Sequence, residues 1–450
     1  MTRKSDPRKA AGLATLTLAL AAWGCDAGET EPAEAPHVER ASLAASCAAN
    51  GAGLIELERE PLAGGLAHYQ ALVRVGDSPN ARLRLHRVVR ERKPWVPART
   101  EAAAMLLHGD FATFTSNFAP IAAGDSAPPG GGLAIELAAR GIDVWGLDRR
   151  WTTAPAGPDA DLSDYPAMGL AAESADIGLA LALARTTRGL TGAGWDRFAL
   201  AGFSRGGLLA YVYTAGEARR PASLRHVRAL APIDVYAAIA PEDEALRLGA
   251  CTRRDEARNL LAAGIVEQDN SFFIDVGGLA AAAPDDPSPI FQGITNREAM
   301  LATVGQTYFV FPATPLYHLI APVLDGDMPV AAAFSSEAVV ADWLIAAPQH
   351  QSLAEIADGE GLWCGDEPLP GGARLADIRV PLFYLGAAGG FGDHGLYTTS
   401  LVGSDDVTAH VVQLLEQERV AEDFGHADLL FGDAARELAW TPLADWILGE

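Results

Sequence analysis

Apolar residues fall along this chain in short blocks that alternate between two periods. Leu54 to Glu58, His68 to Val75 and Arg82 to Arg90 read as strands, the last two joined by a Gly76-Asp77-Ser78-Pro79-Asn80 turn. Ala102 to Leu107 is a short apolar run that ends in His108-Gly109-Asp110-Phe111. Gly131 to Arg140 reads as a helix, and Ile142 to Leu147 as an apolar strand. Glu173 to Thr187 carries apolar residues at 177, 181, 183 and 184, the spacing of one helical face. The Phe198 to Ala201 strand, a helix after Ser204 and the Val227 to Pro232 strand complete this half. Strands that are apolar throughout and alternate with helices predict a mostly parallel sheet covered on both faces, an α/β architecture.

The alternation stops between Val235 and about Ile378, a stretch rich in Ala, Pro and aromatic residues. It resumes with the strands Val380 to Leu385 and Val411 to Leu415 and a helix from Pro442 to Leu448. With Ala102 to Leu107 counted as the third core strand, this predicts a mainly helical cap inserted between strands 6 and 7. The expected boundaries are a core of 50–235 and 376–450 and a cap, or lid, of 236–375. The cap should lie over the carboxyl ends of the strands, where open α/β sheets bind their ligands.

The N-terminus has a different pattern. MTRKSDPRK is basic, and Ala10 to Trp23 is an uncharged apolar stretch of 14 residues. That suits a signal-peptide core better than a bilayer span. It ends at Gly24-Cys25, which resembles a bacterial lipobox and implies cleavage before Cys25 and acylation of its thiol. Residues 1–24 are therefore expected to be a signal peptide and 25–49 a disordered tether. The expected location is the bacterial cell envelope, with secretion as the alternative. Export permits disulfides. With Cys25 acylated, Cys47, Cys251 and Cys364 remain, and Cys251 with Cys364 is the preferred pair because both fall in the insertion.

Charge narrows the partners. The net charge is −24, and the only lysines are Lys4, Lys9 and Lys93. Such a chain repels phosphate backbones, so no nucleic-acid partner is expected. No cysteine or histidine grouping has metal-ligand spacing, and no metal is expected.

The candidate chemistry centres on Gly202-Phe203-Ser204-Arg205-Gly206. G-x-S-x-G alone says little in a chain with 46 glycines. Here a strand enters the motif and a helix leaves it, the context that presents a serine as nucleophile on a strained turn. The base should be His426, on the loop after the last strand, with His394 and His410 as alternatives. Asp393, in the Gly389-to-Gly395 loop, is the first choice for the acid, and Asp234, Asp405 and Asp406 remain alternatives. Oxyanion donors are expected from the backbone N–H of Arg205 and of Asp110 or Phe111.

Together, Leu106-Leu107-His108-Gly109, Gly141-Ile142-Asp143-Val144-Trp145, the Gly202-to-Gly207 elbow and Gly425-His426-Ala427-Asp428 resemble the α/β-hydrolase superfamily. Asp143-Val144-Trp145 and His426 to Gly432 are most similar to its acid-lipase branch. Arg149-Arg150-Trp151 departs from that branch, which has a more Gly/Asn-rich segment there. The resemblance implies a serine hydrolase acting on carboxylic esters of small molecules or lipids without cofactor. A peptidase or other acyl hydrolase on the same triad, and a non-catalytic binding lipoprotein, are the alternatives. Oligomeric state is left open.

Overall fold

A computed structural model describes residues 39–40, 52–310, 314–365 and 367–449. The expected signal peptide, Cys25 and Cys47 lie outside these residues, as does the tether apart from Glu39–Arg40.

One sheet of eleven strands organises the described chain. Its main strands are β1 (Ala52–Leu62), β2 (Leu66–Val75), β3 (Arg82–Lys93), β4 (Ala102–Leu107), β5 (Ile142–Asp148), β6 (Phe198–Phe203), β7 (Val227–Ile233), β8 (Leu382–Ala387) and β9 (Val407–Val412). They lie in the order β1-β2-β3-β5-β4-β6-β7-β8-β9. The first three form an antiparallel meander, and β3 meets β5 antiparallel. From β5 to β9 every pairing is parallel. β4, β5 and β6 are buried at every position, which is why they read as unbroken apolar runs. Helices α1 (Leu133–Ala139), α2 (Leu170–Leu190) and α3 (Arg205–Ala218) belong to the parallel half. The expected α/β class, a mostly parallel sheet flanked by helices, is the class found. The last strand begins at Val407 rather than Val411, and its first residues, Val407 to Ala409, are exposed at the sheet edge.

Between β7 and β8 the chain adds no strand to the main sheet. It forms α4 (Glu244–Ala262), α5 (Ser271–Ala282), α6 (Asn296–Gly305), α7 (Glu337–Ile345) and α8 (Leu353–Cys364), with a short helix at Thr307–Val310. Two small antiparallel sheets join them, pairing Glu267–Asp269 with His350–Ser352 and Pro322–Asp325 with Met328–Ala332. Cys251 on α4 and Cys364 at the end of α8 form a disulfide. Helices α9 (His394–Leu401) and α10 (Thr441–Leu448) follow β8 and β9. Among the described residues no helix is long and apolar enough to cross a membrane.

Candidate active site

Ser204 sits between β6 and α3 with φ 54° and ψ −127°, a conformation that costs a non-glycine residue about 1–3 kcal/mol and survives only where its surroundings enforce it. The enforcement is visible. The Ser204 N–H donates to the Ile233 carbonyl at 2.9 Å, and the Ser204 carbonyl accepts from Gly207 N–H at 2.8 Å. A Cβ on Gly202 would lie 2.2 Å from the Gly206 carbonyl oxygen, and one on Gly206 would lie 2.2 Å from that of Leu107. The two glycines therefore let helix, strand and turn approach closely enough to project the serine, which is half-buried.

His426 lies on the loop beyond β9, 2% exposed, with its ring stacked on Phe203 at 4.4 Å between centroids. His426 and Ser204 line the same cavity. The Nδ1 atom of His426 is 2.6 Å from Oδ2 of Asp234. Asp234 directly follows β7, is fully buried and has φ 45°. Its carboxylate accepts further hydrogen bonds from the N–H groups of Ala387 at 3.0 Å, Phe391 at 3.0 Å and Gly392 at 2.9 Å.

The expected contact between Asp393 and His426 is therefore not formed. Asp393 is exposed and stands at the start of α9. Its loop does serve the site, as the backbone cradle of Asp234. A Cβ on Gly390 would lie 2.0 Å from Asp234 Oδ2, so that glycine is there for close approach. Asp405 and Asp406 are exposed. His394 pairs with Asp243 at 2.9 Å, and Nε2 of His410 meets the Leu438 carbonyl at 2.8 Å. Neither alternative base is engaged with Asp234.

The loop after β4 approaches the elbow, and a Cβ on Gly109 would come 3.1 Å from that of Ser204. His108 is buried. Burial, reinforced by the Arg149 guanidinium, pulls its pKa down to about 3, so it stays neutral. Phe111 (φ 41°) donates its N–H to Oε1 of Gln351, in the insertion, at 3.1 Å. The Asp110 N–H has no protein partner among the described residues. Arg205 is buried, its guanidinium 4.6 Å from the Trp363 ring and its Nε 3.4 Å from Asp110 Oδ2.

The departure at Arg149-Arg150-Trp151 also finds a structural role. Arg149 is buried and pairs with Glu355 of α8, whose other oxygen accepts from Trp151 Nε1 at 2.8 Å. Neighbouring Glu173 is buried with Oε2 unpartnered. Burial, then the nearby Glu355 charge, raises the Glu173 pKa well above the ordinary carboxylate range.

The cavity above Ser204 measures about 320 Å³. One wall is aromatic, with Phe111 stacked on Phe273 at 4.2 Å and near Trp343 at 5.4 Å. Arg253, Glu256 and Glu360 of the insertion add polar lining.

No protein-family model and no curated protein matches this chain. Solved structures do. A candidate lipase from Sulfolobus solfataricus aligns with a TM-score of 0.59 at 15% identity, covering 86% of this chain and 96% of that one. The chain has the α/β-hydrolase fold. An α/β-hydrolase-fold protein from Chitinophaga pinensis aligns at TM-score 0.36 and 13% identity over 89% and 98% of the two chains. A lipase in an open form aligns at 0.41 and 16% over 83% and 96%. Ser204 stands on the turn between β6 and α3, and Asp234 and His426 stand on loops at the carboxyl ends of the parallel strands.

Proposed function

We propose that this protein is an exported serine hydrolase that cleaves carboxylic esters of small molecules through Ser204, His426 and Asp234. The observation that carries this reading is the buried 2.6 Å hydrogen bond between His426 Nδ1 and Asp234, beside the cavity that holds Ser204. With Nδ1 committed to Asp234, Nε2 is the nitrogen left to take the serine proton. Ser204 Oγ then attacks the ester carbonyl, and the N–H groups of Asp110 and Arg205 receive the developing oxyanion. His426 returns the proton to the leaving alcohol. Water, deprotonated by the same imidazole, then attacks the acyl-enzyme, releasing the acid and freeing Ser204. A cavity of about 320 Å³ is at the small end of ligand pockets and suits a compact acyl group against its aromatic wall.

A fluorophosphonate probe tests the reaction. Wild type should be labelled and Ser204→Ala should not; a folded wild type that stays unlabelled overturns the proposal. Export is supported by the N-terminal sequence and by the Cys251–Cys364 disulfide, which needs an oxidising compartment to persist, and a lipid anchor at Cys25 by the N-terminal sequence alone. Incorporation of labelled palmitate that is lost in Cys25→Ser checks the anchor, and incorporation that survives the substitution removes Cys25 as its site.

A further inference from the structure

Buried backbone polar groups need partners, and those of the loop between β4 and the short helix at Phe114–Phe118 find them in several elements. Arg149 Nη2 donates to the carbonyls of His108 at 3.3 Å and Gly109 at 2.7 Å. The Gly109 N–H donates to Asn117 Oδ1 at 3.0 Å. The Phe111 N–H goes to Gln351 Oε1 at 3.1 Å, and Gln351 Nε2 donates to Asp110 Oδ1 at 2.6 Å. The reverse amide orientation would set acceptor against acceptor and donor against donor, so these neighbours fix its direction. Gln351 is fully buried. It lies in the small sheet of the insertion, four residues before the Glu355 that pairs with Arg149. One segment of the insertion thus takes hold of this loop directly and through Arg149.

We propose that Gln351 is a positioning residue of the oxyanion loop, supplied by the insertion. It removes the Phe111 N–H from the cavity and leaves the Asp110 N–H to act with that of Arg205. It has a second task. The Asp110 carboxylate, on the same residue as a donor meant for a developing anion, would oppose that anion through like charge. Gln351 Nε2 on one oxygen and Arg205 Nε on the other hold it in place. This inference rests on the serine-hydrolase reading above.

The test is a charge-conserving swap. Gln351→Glu sets two carboxylates face to face, while adding Asp110→Asn reverses the original pair: the new amide at 110 donates to the new carboxylate at 351, which still accepts from the Phe111 N–H. With a p-nitrophenyl ester, Q351E should lose about 10- to 100-fold in kcat, less than the 10²–10³ for deleting a donor, with KM changed less than about threefold. The double variant should recover most of the loss. The ratio of Q351E to wild-type activity should rise as the pH falls, because the facing carboxyls then share a proton. Amide exchange in residues 108–113 should quicken in Q351E and slow again in the double variant. Wild-type kcat in Q351E, or a folded double variant no better than the single, overturns the proposal. If wild type proves inactive the hydrolase reading fails, and exchange alone decides: unchanged protection in Q351E removes the latch.

Discussion

Asp234 holds His426 Nδ1 while itself held by three N–H groups from the end of β8 and the loop after it, so the two side chains form one rigid unit. Asp234→Asn removes the acceptor that fixes the imidazole tautomer, and kcat should fall by about 10³–10⁴-fold. Asp393→Asn, at an exposed position on the far side of the same loop, should leave kcat unchanged in the same assay. Equal losses in the two variants would contradict this division of roles. In the sequence, the strand end before Asp234 was as legible as the Gly-rich loop bearing Asp393. What misled is that a glycine run reads as freedom to aim a side chain, whereas Gly390 is there because Asp234 Oδ2 fills the place of its Cβ. Glu173, buried beside Glu355, gives the fold a pH dependence of its own. Its carboxyl has a raised pKa in the folded protein, so its contribution to stability is complete below the ordinary value of 4.5 and is lost as pH rises through the folded value. Urea unfolding at several pH values should show Glu173→Gln gaining on wild type by about 1.4 kcal/mol per pH unit across that window. A constant difference would mean that the group ionises normally.

At the scale of elements, the parallel strands and their helices were legible because burial on both faces leaves runs of apolar residues with no interruption. The elbow was legible for a different reason: its glycines stand at a fixed spacing around Ser204, where the backbone of Gly206 and of Leu107 packs against them. The insertion's elements were not. α4 exposes most of one side, and the two small sheets use strands of three to five residues, too short to set up a period. The disulfide between α4 and α8 closes a loop with a sequence separation of 113. Replacing both cysteines by serine should lower the unfolding free energy by about 2–5 kcal/mol, read as a shift of the thermal midpoint in matched buffers. No shift would mean that packing of α4 on α8 holds the pair without the bond.

On the scale of the whole molecule, the insertion is tied to every loop of the candidate site. Gln351 and Glu355 engage the oxyanion loop and Arg149, and Trp363 covers Arg205. The carbonyls of His318 and Leu319 accept from the N–H groups of His426 at 3.0 Å and Ala427 at 2.7 Å. A lid that swings away would have to break the Arg149–Glu355 pair and these loop hydrogen bonds together. The expectation of a lid thus becomes that of a fixed roof. Hydrolysis of a p-nitrophenyl ester should follow one hyperbola through the solubility limit of the substrate. A jump in rate at that limit would show that the roof opens on an interface.

The order of these parts along the chain has its own consequence. Ser204 and Asp234 precede the insertion and His426 follows it. A polypeptide leaving the ribosome therefore exposes Ser204 long before His426, the imidazole proposed to activate it. On that proposal the serine stays chemically quiet until the insertion has been synthesised and the strands beyond it have joined the sheet.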